Sequence, residues 1–323
     1  MSIFKPLLFL FTCIAASASF CQNDPNFKRL GVNDGLSQNS VREIFQDQQG
    51  FIWIGTGDGL NRYDGRQIKK YRESFRDKSA KRFPGKIINS KIIQDNRQNL
   101  WMIVDGQIVK MNPVTETFSV IKKIGRDLDC MILGLFKDEI VIKVPDGIVS
   151  IDINTLSTKT IHISNVFGIY TPTPSDLYLL FQKDDGLYKY NTKSKTAVLL
   201  LYTGNKKLSA PVVYNNSGVL FTLGNEIQEL NLLSGKVTAT YKIPYEKEQH
   251  KQLTPVGKTT IPKGGIIALA PHIGFVIIDS IKGTFHQYTN IENDPLSLSS
   301  NLIYTSIIDH VDNLWLGTEG GGI

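Results

Sequence analysis

Cysteine is scarce in this sequence, with three among 323 residues. Cys13 and Cys21 lie in or beside an apolar N-terminal segment, so removal of that segment leaves Cys130 and at most one other. One or two cysteines cannot build the disulfide framework of a small secreted domain. Stability must therefore come from a hydrophobic core, for which 41% apolar residues are sufficient.

Long hydrophobic runs are also missing. The run Leu7–Ile14 holds eight residues, whereas a membrane-spanning helix needs about 20. No other stretch of the chain is apolar enough to cross a membrane. With Lys5 before it and the small residues Ala15–Ser19 after it, this run is typical of a signal peptide over residues 1–22. Residues 23–323 are then the exported protein.

The cleavage point has two candidates. A cut after Ala18 and a cut between Cys21 and Gln22 both follow a run of small residues. Lipid attachment at Cys21 is an alternative, but Phe20 stands before it, where a lipoprotein has a small residue. A buried N-terminal strand is the alternative for the whole segment.

The sequence has no concentrated basic surface. Its formal net charge is +6, and its lysines and arginines are scattered, with a partial cluster between Arg72 and Lys86. A nucleic-acid-binding face would gather them on one helix or stripe. We therefore expect no nucleic-acid partner for this chain.

Catalytic motifs are missing as well. The five histidines lack the spacing of metal ligands, and no Gly-x-Ser-x-Gly motif occurs. Asp47, Asp95 and Asp309 share one repeated position and are expected to bond turn amides rather than form an acid–base pair. We predict no catalytic residue, no metal and no cofactor, and hence no enzyme. Carboxylates assembled from distant parts of the chain, as in a glycosidase, are the alternative.

What the sequence does contain is a repeat. Residues Asn39–Thr56 agree with Asn301–Thr318 in order, spacing and residue type, and a third copy lies at Asn89–Met102. Each copy is typical of a hairpin, with an apolar strand ending in Asp, a polar turn and a strand carrying Trp. A third and a fourth strand, such as Gly59–Asp64 and Gln67–Tyr71, complete a four-stranded unit.

The pattern continues through the middle of the chain without Trp. The second-strand positions that we take as equivalent are Trp53, Trp101, Ile142, Tyr178, Leu220, Ile267 and Trp315. Their mean spacing of about 44 residues is that of propeller blades. The sequence predicts an all-β, seven-bladed β-propeller of four-stranded antiparallel blades. These seven side chains are expected to pack between neighbouring blades.

The last unit is cut short. It stops at Gly322-Ile323, where its third strand should begin, while Phe27–Gly31 resembles a fourth strand ahead of the first complete unit. Propellers commonly close by letting the N-terminal strand complete the last blade. We therefore expect a truncated last blade, and a sequence that is a C-terminally incomplete fragment of a longer protein.

Three passages are similar to a known repeat. Gly35–Val41 and Gly50–Tyr63, with their Trp-Ile-Gly-Thr and Gly-Leu-x-x-Tyr strands, resemble the two-component regulator propeller repeat. Trp315–Thr318 matches it equally well. The resemblance is strong in the first, second and last units and only structural in the middle four.

This resemblance implies the periplasmic sensor region of a Bacteroidetes hybrid two-component histidine kinase. In that family a signal peptide precedes one or two propellers, an immunoglobulin-like domain, a membrane helix and the kinase. The exported part senses oligosaccharides and controls genes for polysaccharide breakdown. By resemblance, the expected partners are an oligosaccharide, a second copy through the full-length protein, and the inner membrane through a downstream helix. A secreted carbohydrate-active propeller enzyme and a protein-docking propeller are the alternatives.

The mouth of the central channel is the expected ligand site, because loops between blades converge there. The longest of these loops, Arg72–Ile88, carries arginines and Phe83, which suit a uronic or sulfated sugar. Turns between second and third strands should reach the same face. The predicted ligand-binding residues are Arg72, Arg76, Arg82, Asp184, Asp185 and His272. A solvated charged loop and ordinary turn chemistry are the plainer alternatives.

Overall fold

The computed structural model describes residues 27–74, 79–88, 90–125, 130–183, 185–204, 208–215, 217–223, 226–242, 254–258, 266–270, 274–278 and 285–323. Over these residues the protein consists of β-strands and a single 3₁₀ turn, Val32–Asp34. The strands fall into seven sheets, which we number as blades 1 to 7 in chain order.

Blades 1 to 3 follow one another directly along the chain. Blade 1 comprises β1 (Val41–Gln46), β2 (Ile52–Thr56), β3 (Gly59–Tyr63) and β4 (Ile68–Tyr71). Blade 2 comprises β5 (Ile93–Gln94), β6 (Leu100–Val104), β7 (Gln107–Asn112) and β8 (Thr117–Lys123). Blade 3 comprises β9 (Met131–Phe136), β10 (Glu139–Val144), β11 (Gly147–Asp152) and β12 (Thr158–Ile161).

Blades 4 to 7 complete the chain. Blade 4 comprises β13 (Val166–Thr173), β14 (Asp176–Lys183), β15 (Gly186–Asn191) and β16 (Thr196–Tyr202). Blade 5 comprises β17 (Leu208–Asn215), β18 (Gly218–Leu223), β19 (Glu226–Asn231) and β20 (Lys236–Lys242). Blade 6 comprises β21 (Thr254–Lys258), β22 (Ile266–Ala270), β23 (Gly274–Ile278) and β24 (Phe285–Tyr288). Blade 7 has β25 (Ile303–Ile308) and β26 (Leu314–Thr318).

Each four-stranded sheet is an antiparallel meander in which neighbours along the chain are neighbours in the sheet. The first strands of successive blades pack side by side, as β9, β13, β17 and β21 do, and β25 packs against β1. The first strands therefore form an inner ring around a channel, and the fourth strands lie outermost. The predicted seven-bladed, all-β propeller is confirmed, with six complete blades and a two-stranded seventh.

A buried carboxylate explains the fixed spacing of Asp and Trp in the repeat. Asp47 accepts the amides of Gln49 and Phe51 on one oxygen, at 2.9 and 3.0 Å. Its other oxygen accepts the indole N–H of Trp53 at 2.7 Å. Trp53 is fully buried, and a buried indole N–H needs an acceptor. The Asp47 side chain therefore holds both the hairpin turn and the core tryptophan, an arrangement that we call the Asp–Trp fastening.

The same fastening recurs in blades 2 and 7. The indoles of Trp101 and Trp315 donate to Asp95 and Asp309, each at 2.8 Å. Burial pushes the pKa of Asp309 upward, but the bonds from Trp315 and from Asn313 outweigh it and hold that pKa below its usual value. The prediction that these aspartates bond turn amides is confirmed, and the indole bond is an addition that the sequence did not reveal.

One predicted core position in blade 3 is wrong by one residue. Trp53 lies three residues before Thr56, which closes the hairpin to β3. The closing residue in blade 3 is Val144, so the equivalent of Trp53 is Val141 rather than Ile142. Val141 packs toward blade 4, whereas Ile142 packs toward blade 2. A continuous apolar run hides the period of two, because both faces of the strand are buried.

The position predicted in blade 4 is wrong by two residues. Its hairpin closes at Lys183, which makes Leu180 the equivalent position rather than Tyr178. Leu180 is fully buried and packs toward blade 5. Tyr178 points to the same side of the strand, because side chains two residues apart share a face. The count of seven units is unchanged.

The segment Phe27–Gly31 lies beside blade 7. The Leu30 amide donates to the Ile323 carbonyl at 2.9 Å, and the Ile323 amide donates to the Leu30 carbonyl at 3.0 Å. Phe27 packs edge-on against Phe275 and Tyr288 of blade 6, with ring centroids 6.0 Å apart in each case. The two ends of the described chain are therefore joined by main-chain bonds as well as by apolar contacts.

Glycine spacing shows which strand this segment represents. A Cβ on Gly59, where β3 begins, would lie 2.3 Å from the carbonyl oxygen of Tyr71, where β4 ends. A Cβ on Gly322 would lie 2.2 Å from the carbonyl oxygen of Leu30. Leu30 therefore occupies the same position relative to Gly322 as Tyr71 does relative to Gly59. The N-terminal segment occupies the place of a fourth strand in blade 7, as expected from the sequence.

Candidate functional site

Two kinds of loop share one face of the propeller: the turns between second and third strands, and the connectors between blades. The Gly59 amide donates to the Lys86 carbonyl at 2.7 Å, which joins the start of β3 to the connector between blades 1 and 2. The Asp105 carboxylate accepts the Lys86 amide at 2.8 Å, and the Thr203 amide donates to the Asp185 carbonyl at 2.8 Å. We call this side the loop face. The expected convergence of the two loop types is confirmed.

The arginines of the first connector bind carboxylates of the protein itself. Arg72 contacts the Asp58 carboxylate and donates to the Ser37 carbonyl at 3.1 Å. Arg82 donates to Glu73 at 3.2 Å. Both guanidinium groups lie on the loop face, and each has a compensating charge. An anionic ligand would have to compete with Asp58 for Arg72 and with Glu73 for Arg82.

Phe83 does not offer a stacking surface. Its ring is fully buried and packs edge-on against Phe118 at 5.4 Å, in the core shared by blades 1 and 2. The connector turns inward at this residue because burial of a phenyl ring is worth about 2 kcal/mol or more. The expectation that Phe83 stacks on a sugar is wrong.

Asp185 lies in an open cleft between blades 3 and 4. The cleft has a volume of about 710 Å³ and includes Asp146, His162, Asn165 and Lys183 among its lining residues. Its polar rim suits a ligand rich in hydroxyl groups. The other predicted ligand residues, which lie outside the described part of the chain, are Arg76, Asp184 and His272.

The carboxylate of Asp185 is held within its own turn. The Tyr188 hydroxyl donates to it at 2.7 Å, and this bond, together with burial, raises the pKa of Tyr188. The Lys183 ammonium lies 5.1 Å from the centroid of the Tyr188 ring. The cleft therefore presents the Lys183 cation and the hydrogen-bonded Asp185 carboxylate, and the Tyr188 ring lies beside both of them.

His162 is a cleft residue that the sequence analysis did not select. It follows the fourth strand of blade 3, as Arg72 follows the fourth strand of blade 1. A Cβ on Gly147 would lie 3.0 Å from the His162 Cα, and one on Gly59 would lie 3.4 Å from the Arg72 Cα. An alignment of the repeat units on Gly59 and Gly147 would have shown that Arg72 and His162 occupy equivalent positions.

A second polar group lies at one side of the channel mouth, where the inner strands begin on the loop face. The Arg42 guanidinium carbon lies 5.1 Å from the centroid of the Tyr304 ring, and the Tyr304 hydroxyl is hydrogen-bonded to Glu319. Glu43 lies in the field of the Lys91 ammonium. Blades 7, 1 and 2 each contribute to this group. We call these five residues, together with Gln38, the mouth cluster.

Three buried atoms of the mouth cluster have no hydrogen-bond partner: Gln38 Oε1, Arg42 Nε and Glu319 Oε2. Leaving such an atom unpaired costs about 1–3 kcal/mol, so each favours a ligand or solvent partner. Gln38 lies against the turn between β2 and β3, since a Cβ on Gly57 would lie 2.3 Å from its Oε1, and Arg72 contacts Asp58 of the same turn. Sequence analysis missed the cluster because its residues differ in type between copies of the repeat, as Arg42 and Tyr304 do at one equivalent position.

Burial raises the pKa of Glu43 to about 8, against the opposing effects of the Lys91 charge and the Ile92 amide. The unfolded carboxyl titrates near 4.5. Between these values the folded chain holds a proton that the unfolded chain has released, so stability falls as the pH rises from about 4.5 to about 8. The mouth cluster is therefore less acidic near neutral pH than its composition indicates.

We expect Glu43→Gln to be more stable than the wild type at pH 9 by at least about 1 kcal/mol, and equal to it below about pH 5. Urea unfolding of both proteins at pH 5, 7 and 9 measures the difference. Glu116→Gln is the control of opposite sign, because the hydrogen bond from Lys69 lowers the pKa of Glu116. Parallel pH profiles for the wild type and Glu43→Gln would contradict the assignment.

The described residues hold neither a metal-binding group nor a membrane-spanning helix. Among residues that the structure describes, no group of three or more His, Cys, Asp and Glu side chains could hold a metal ion. In the same part of the chain, no helix is long and apolar enough to cross a membrane.

The geometry of blade 1 accounts for a family signature. Residues 35–58, which contain β1, β2 and the Asp47–Trp53 fastening, match the two-component regulator propeller family. The resemblance noted in the sequence is thereby confirmed for the first blade.

A curated relative of this chain is a histidine kinase. Over 80 residues, or 25% of this chain, it is 40% identical to histidine kinase P4 of Formosa agariphila. That alignment covers 6% of the kinase. The chain thus spans a small part of this relative's length.

Solved structures share the fold. The extracellular domain of a putative hybrid two-component system from B. thetaiotaomicron superposes with a TM-score of 0.68 at 20% identity, over 93% of this chain and 41% of that one. A second such domain from the same organism gives 0.71 at 15% identity, over 92% and 39%. Virginiamycin B lyase from Staphylococcus aureus gives 0.62 at 13% identity, over 91% and 96%. This chain spans about two-fifths of the two extracellular domains.

Proposed function

We propose that this propeller is the exported, ligand-sensing part of a hybrid two-component sensor histidine kinase. The match of residues 35–58 to the regulator propeller family carries the proposal. The propeller fold, which it shares with extracellular domains of such systems, and the identity with a histidine kinase support it. Ligand binding would bias a downstream kinase and its transcriptional output by shifting the domains that follow the propeller.

The proposal includes a location. Residues 1–22, which lie outside the described part of the chain, would act as a signal peptide and deliver the propeller to the periplasm. A membrane helix beyond the propeller would anchor the whole protein in the inner membrane, and a pair of such proteins would present paired kinases. A fusion of residues 1–30 to alkaline phosphatase, assayed for periplasmic activity, tests the leader.

We propose an oligosaccharide as the ligand and the loop face as its binding surface. The mouth cluster supports this choice, because the exposed Tyr304 ring suits a sugar face and the unpaired atoms of Gln38, Arg42 and Glu319 suit hydroxyl groups. The basic connector beside it would favour a uronic or sulfated sugar. Arg72, Arg76, Arg82, Asp184, Asp185 and His272 remain proposed ligand contacts; of these, Arg72 and Arg82 lie on the loop face and Asp185 in the cleft between blades 3 and 4.

A thermal-shift screen of the purified chain against defined oligosaccharides tests the ligand. A glycan at 100 times its Kd should add about 2.7 kcal/mol of stability to the chain. We expect Arg42→Ala to remove that shift, because it deletes the guanidinium at the mouth. Arg66→Ala is the matched control, since Arg66 is exposed in the turn between β3 and β4, outside the loop face. If the stability shift persists in Arg42→Ala, the glycan binds at a site other than the mouth cluster. If no glycan shifts the melting temperature, the result counts against oligosaccharide sensing.

A secreted propeller enzyme is the second candidate. Virginiamycin B lyase, which shares this fold over nearly the whole of both chains, is the observation that supports this candidate. Its carboxylates would have to converge in the channel, yet the repeated aspartates of blades 1, 2 and 7 are occupied by indole and amide donors. Mass spectrometry of any glycan that shifts the melting temperature separates the two candidates. An intact glycan supports a sensor, and cleaved products support an enzyme.

A further inference from the structure

The residue before the third strand is acidic in blades 1, 3 and 4. Asp58, Asp146 and Asp185 each stand directly before the glycine that begins this strand. In blade 1 the Arg72 guanidinium contacts the Asp58 carboxylate, so the protein itself compensates that charge. Whether the other two carboxylates are compensated depends on the residue that occupies the position of Arg72 in their blades.

Neither blade 3 nor blade 4 has an arginine at the position of Arg72. His162 occupies it in blade 3, and Tyr202 occupies it in blade 4, where it lies opposite the first residue of β15. An imidazole is shorter than an arginine side chain, and a phenol is not a cation. In the part of the chain that the structure describes, neither Asp146 nor Asp185 forms an ion pair. Both carboxylates are therefore open to a cation from outside the protein.

These two carboxylates line the same open cleft, between blades 3 and 4. Asp146 has no hydrogen bond to any described residue, and Asp185 accepts one on its Oδ2, from the Tyr188 hydroxyl at 2.7 Å. Among the described lining residues the only ammonium is that of Lys183, which lies 5.9 and 5.1 Å from the ring centroids of Phe181 and Tyr188. Two carboxylates thus stand against one ammonium, and the cleft is acidic in a chain whose net charge is +6.

We infer that this cleft binds a ligand whose protonated amine takes the role that the Arg72 guanidinium has in blade 1. An ammonium group donates charge-assisted hydrogen bonds to carboxylate oxygens, as a guanidinium does. The volume of about 710 Å³ admits a ligand much larger than an ammonium ion.

The rest of the lining indicates what carries the amine. Ser164, Asn165 and Gln182 line the cleft and offer a hydroxyl and two amide groups. Such groups favour a ring that bears hydroxyl groups over the alkyl stem of a lysine side chain. An amine on a hydroxylated ring is the chemistry of a hexosamine. The cleft is thus a second site on the loop face, opposite in charge preference to the basic connector of blade 1.

Ligand-observed NMR titration of the purified chain with glucosamine tests the inference. We expect a Kd of roughly 1–10 mM, because ion pairs of exposed groups contribute little each. Glucose and N-acetylglucosamine lack the charge and should bind about fivefold more weakly or worse. Glucosamine oligomers, titrated in parallel, show whether the cleft takes the free sugar or the end of a longer chain.

Substitutions assign the site. Asp146→Asn and Asp185→Asn should each weaken glucosamine binding about fivefold, since each removes one carboxylate. His162→Arg should also weaken it, because the protein then supplies the cation itself. Asp64→Asn is the matched control and should change nothing, because it removes the same charge from an exposed turn of blade 1 outside the loop face. All four residues are exposed, so these substitutions leave the core intact.

The inference is overturned if glucosamine does not bind, if glucose binds equally well, or if the Asp146 and Asp185 variants bind as the wild type does. Loss of glucosamine binding in Arg42→Ala would place the amine in the mouth cluster and would also overturn it. Lysine amide that binds as tightly as glucosamine would exclude a hexosamine as the specific occupant. The site is independent of the proposed oligosaccharide contacts at the mouth, so failure of the thermal-shift screen there leaves these outcomes unchanged.

Discussion

Replacement of Asp95 by alanine is expected to lower the free energy of unfolding by about 3–5 kcal/mol. Asp95 is 1% exposed, and it accepts the amides of Arg97 and Asn99 together with the indole N–H of Trp101. Its loss leaves these donors without their acceptor in the core. Urea denaturation monitored by tryptophan fluorescence measures the change, because the affected indole is itself a reporter.

Asp95→Asn separates the two halves of this fastening. An asparagine oxygen can still accept the turn amides, whereas its NH₂ group faces the indole donor of Trp101. We therefore expect an intermediate loss. Asp64→Ala is the control, because Asp64 accepts two turn amides in the same manner but is exposed and has no indole partner. Equal losses for Asp95→Ala and Asp64→Ala would show that the Trp bond contributes nothing.

Gly59→Ala is expected to cost about 3–4 kcal/mol. Gly59 has φ of +102°, and its Cβ would lie 2.3 Å from the Tyr71 carbonyl oxygen, so the β3–β4 pair must open. Its amide also holds the connector through Lys86. The measurement is thermal and urea unfolding together with hydrogen exchange at the Tyr71 amide. Faster exchange there would locate the damage in the β3–β4 pair.

Gly65→Ala is the matched control for Gly59→Ala. Gly65 has a similar φ of +94°, but nothing lies within 4 Å of the position of its Cβ. Backbone strain alone should cost this variant about 1 kcal/mol. The difference between the two variants therefore measures the clash with β4. Similar losses for both would show that the strand pair relaxes easily around the added methyl group.

The overall fold could be predicted because its signal is local and repeated. The Asp-to-Trp spacing and the turn glycines recur in units, and each unit is a meander whose contacts lie close in the chain. In blades 3 and 4 the prediction shifted by one and two residues, at Ile142 and Tyr178. Those strands are buried on both faces, so periodicity does not mark the register, and in blade 4 the aromatic Tyr178 stands two residues from the equivalent position.

The candidate site was predicted only in outline. The loop face was correct, and Arg72, Arg82 and Asp185 lie on it, but each of them contacts a partner within the protein. The mouth cluster was missed altogether. Arg42 and Tyr304 are far apart in sequence and meet only because the ring closes.

The amino-acid sequence alone was sufficient for the fold class, the number of blades and the bonding of the repeated aspartates to turn amides, since these depend on residues a few positions apart. The tertiary structure was needed for everything that depends on which blades are neighbours across the ring. The approach of Leu30 to Ile323, the arrangement around Arg42 and the cleft between blades 3 and 4 belong to this group. Closure of the propeller sets these long-range distances, and no local pattern encodes them.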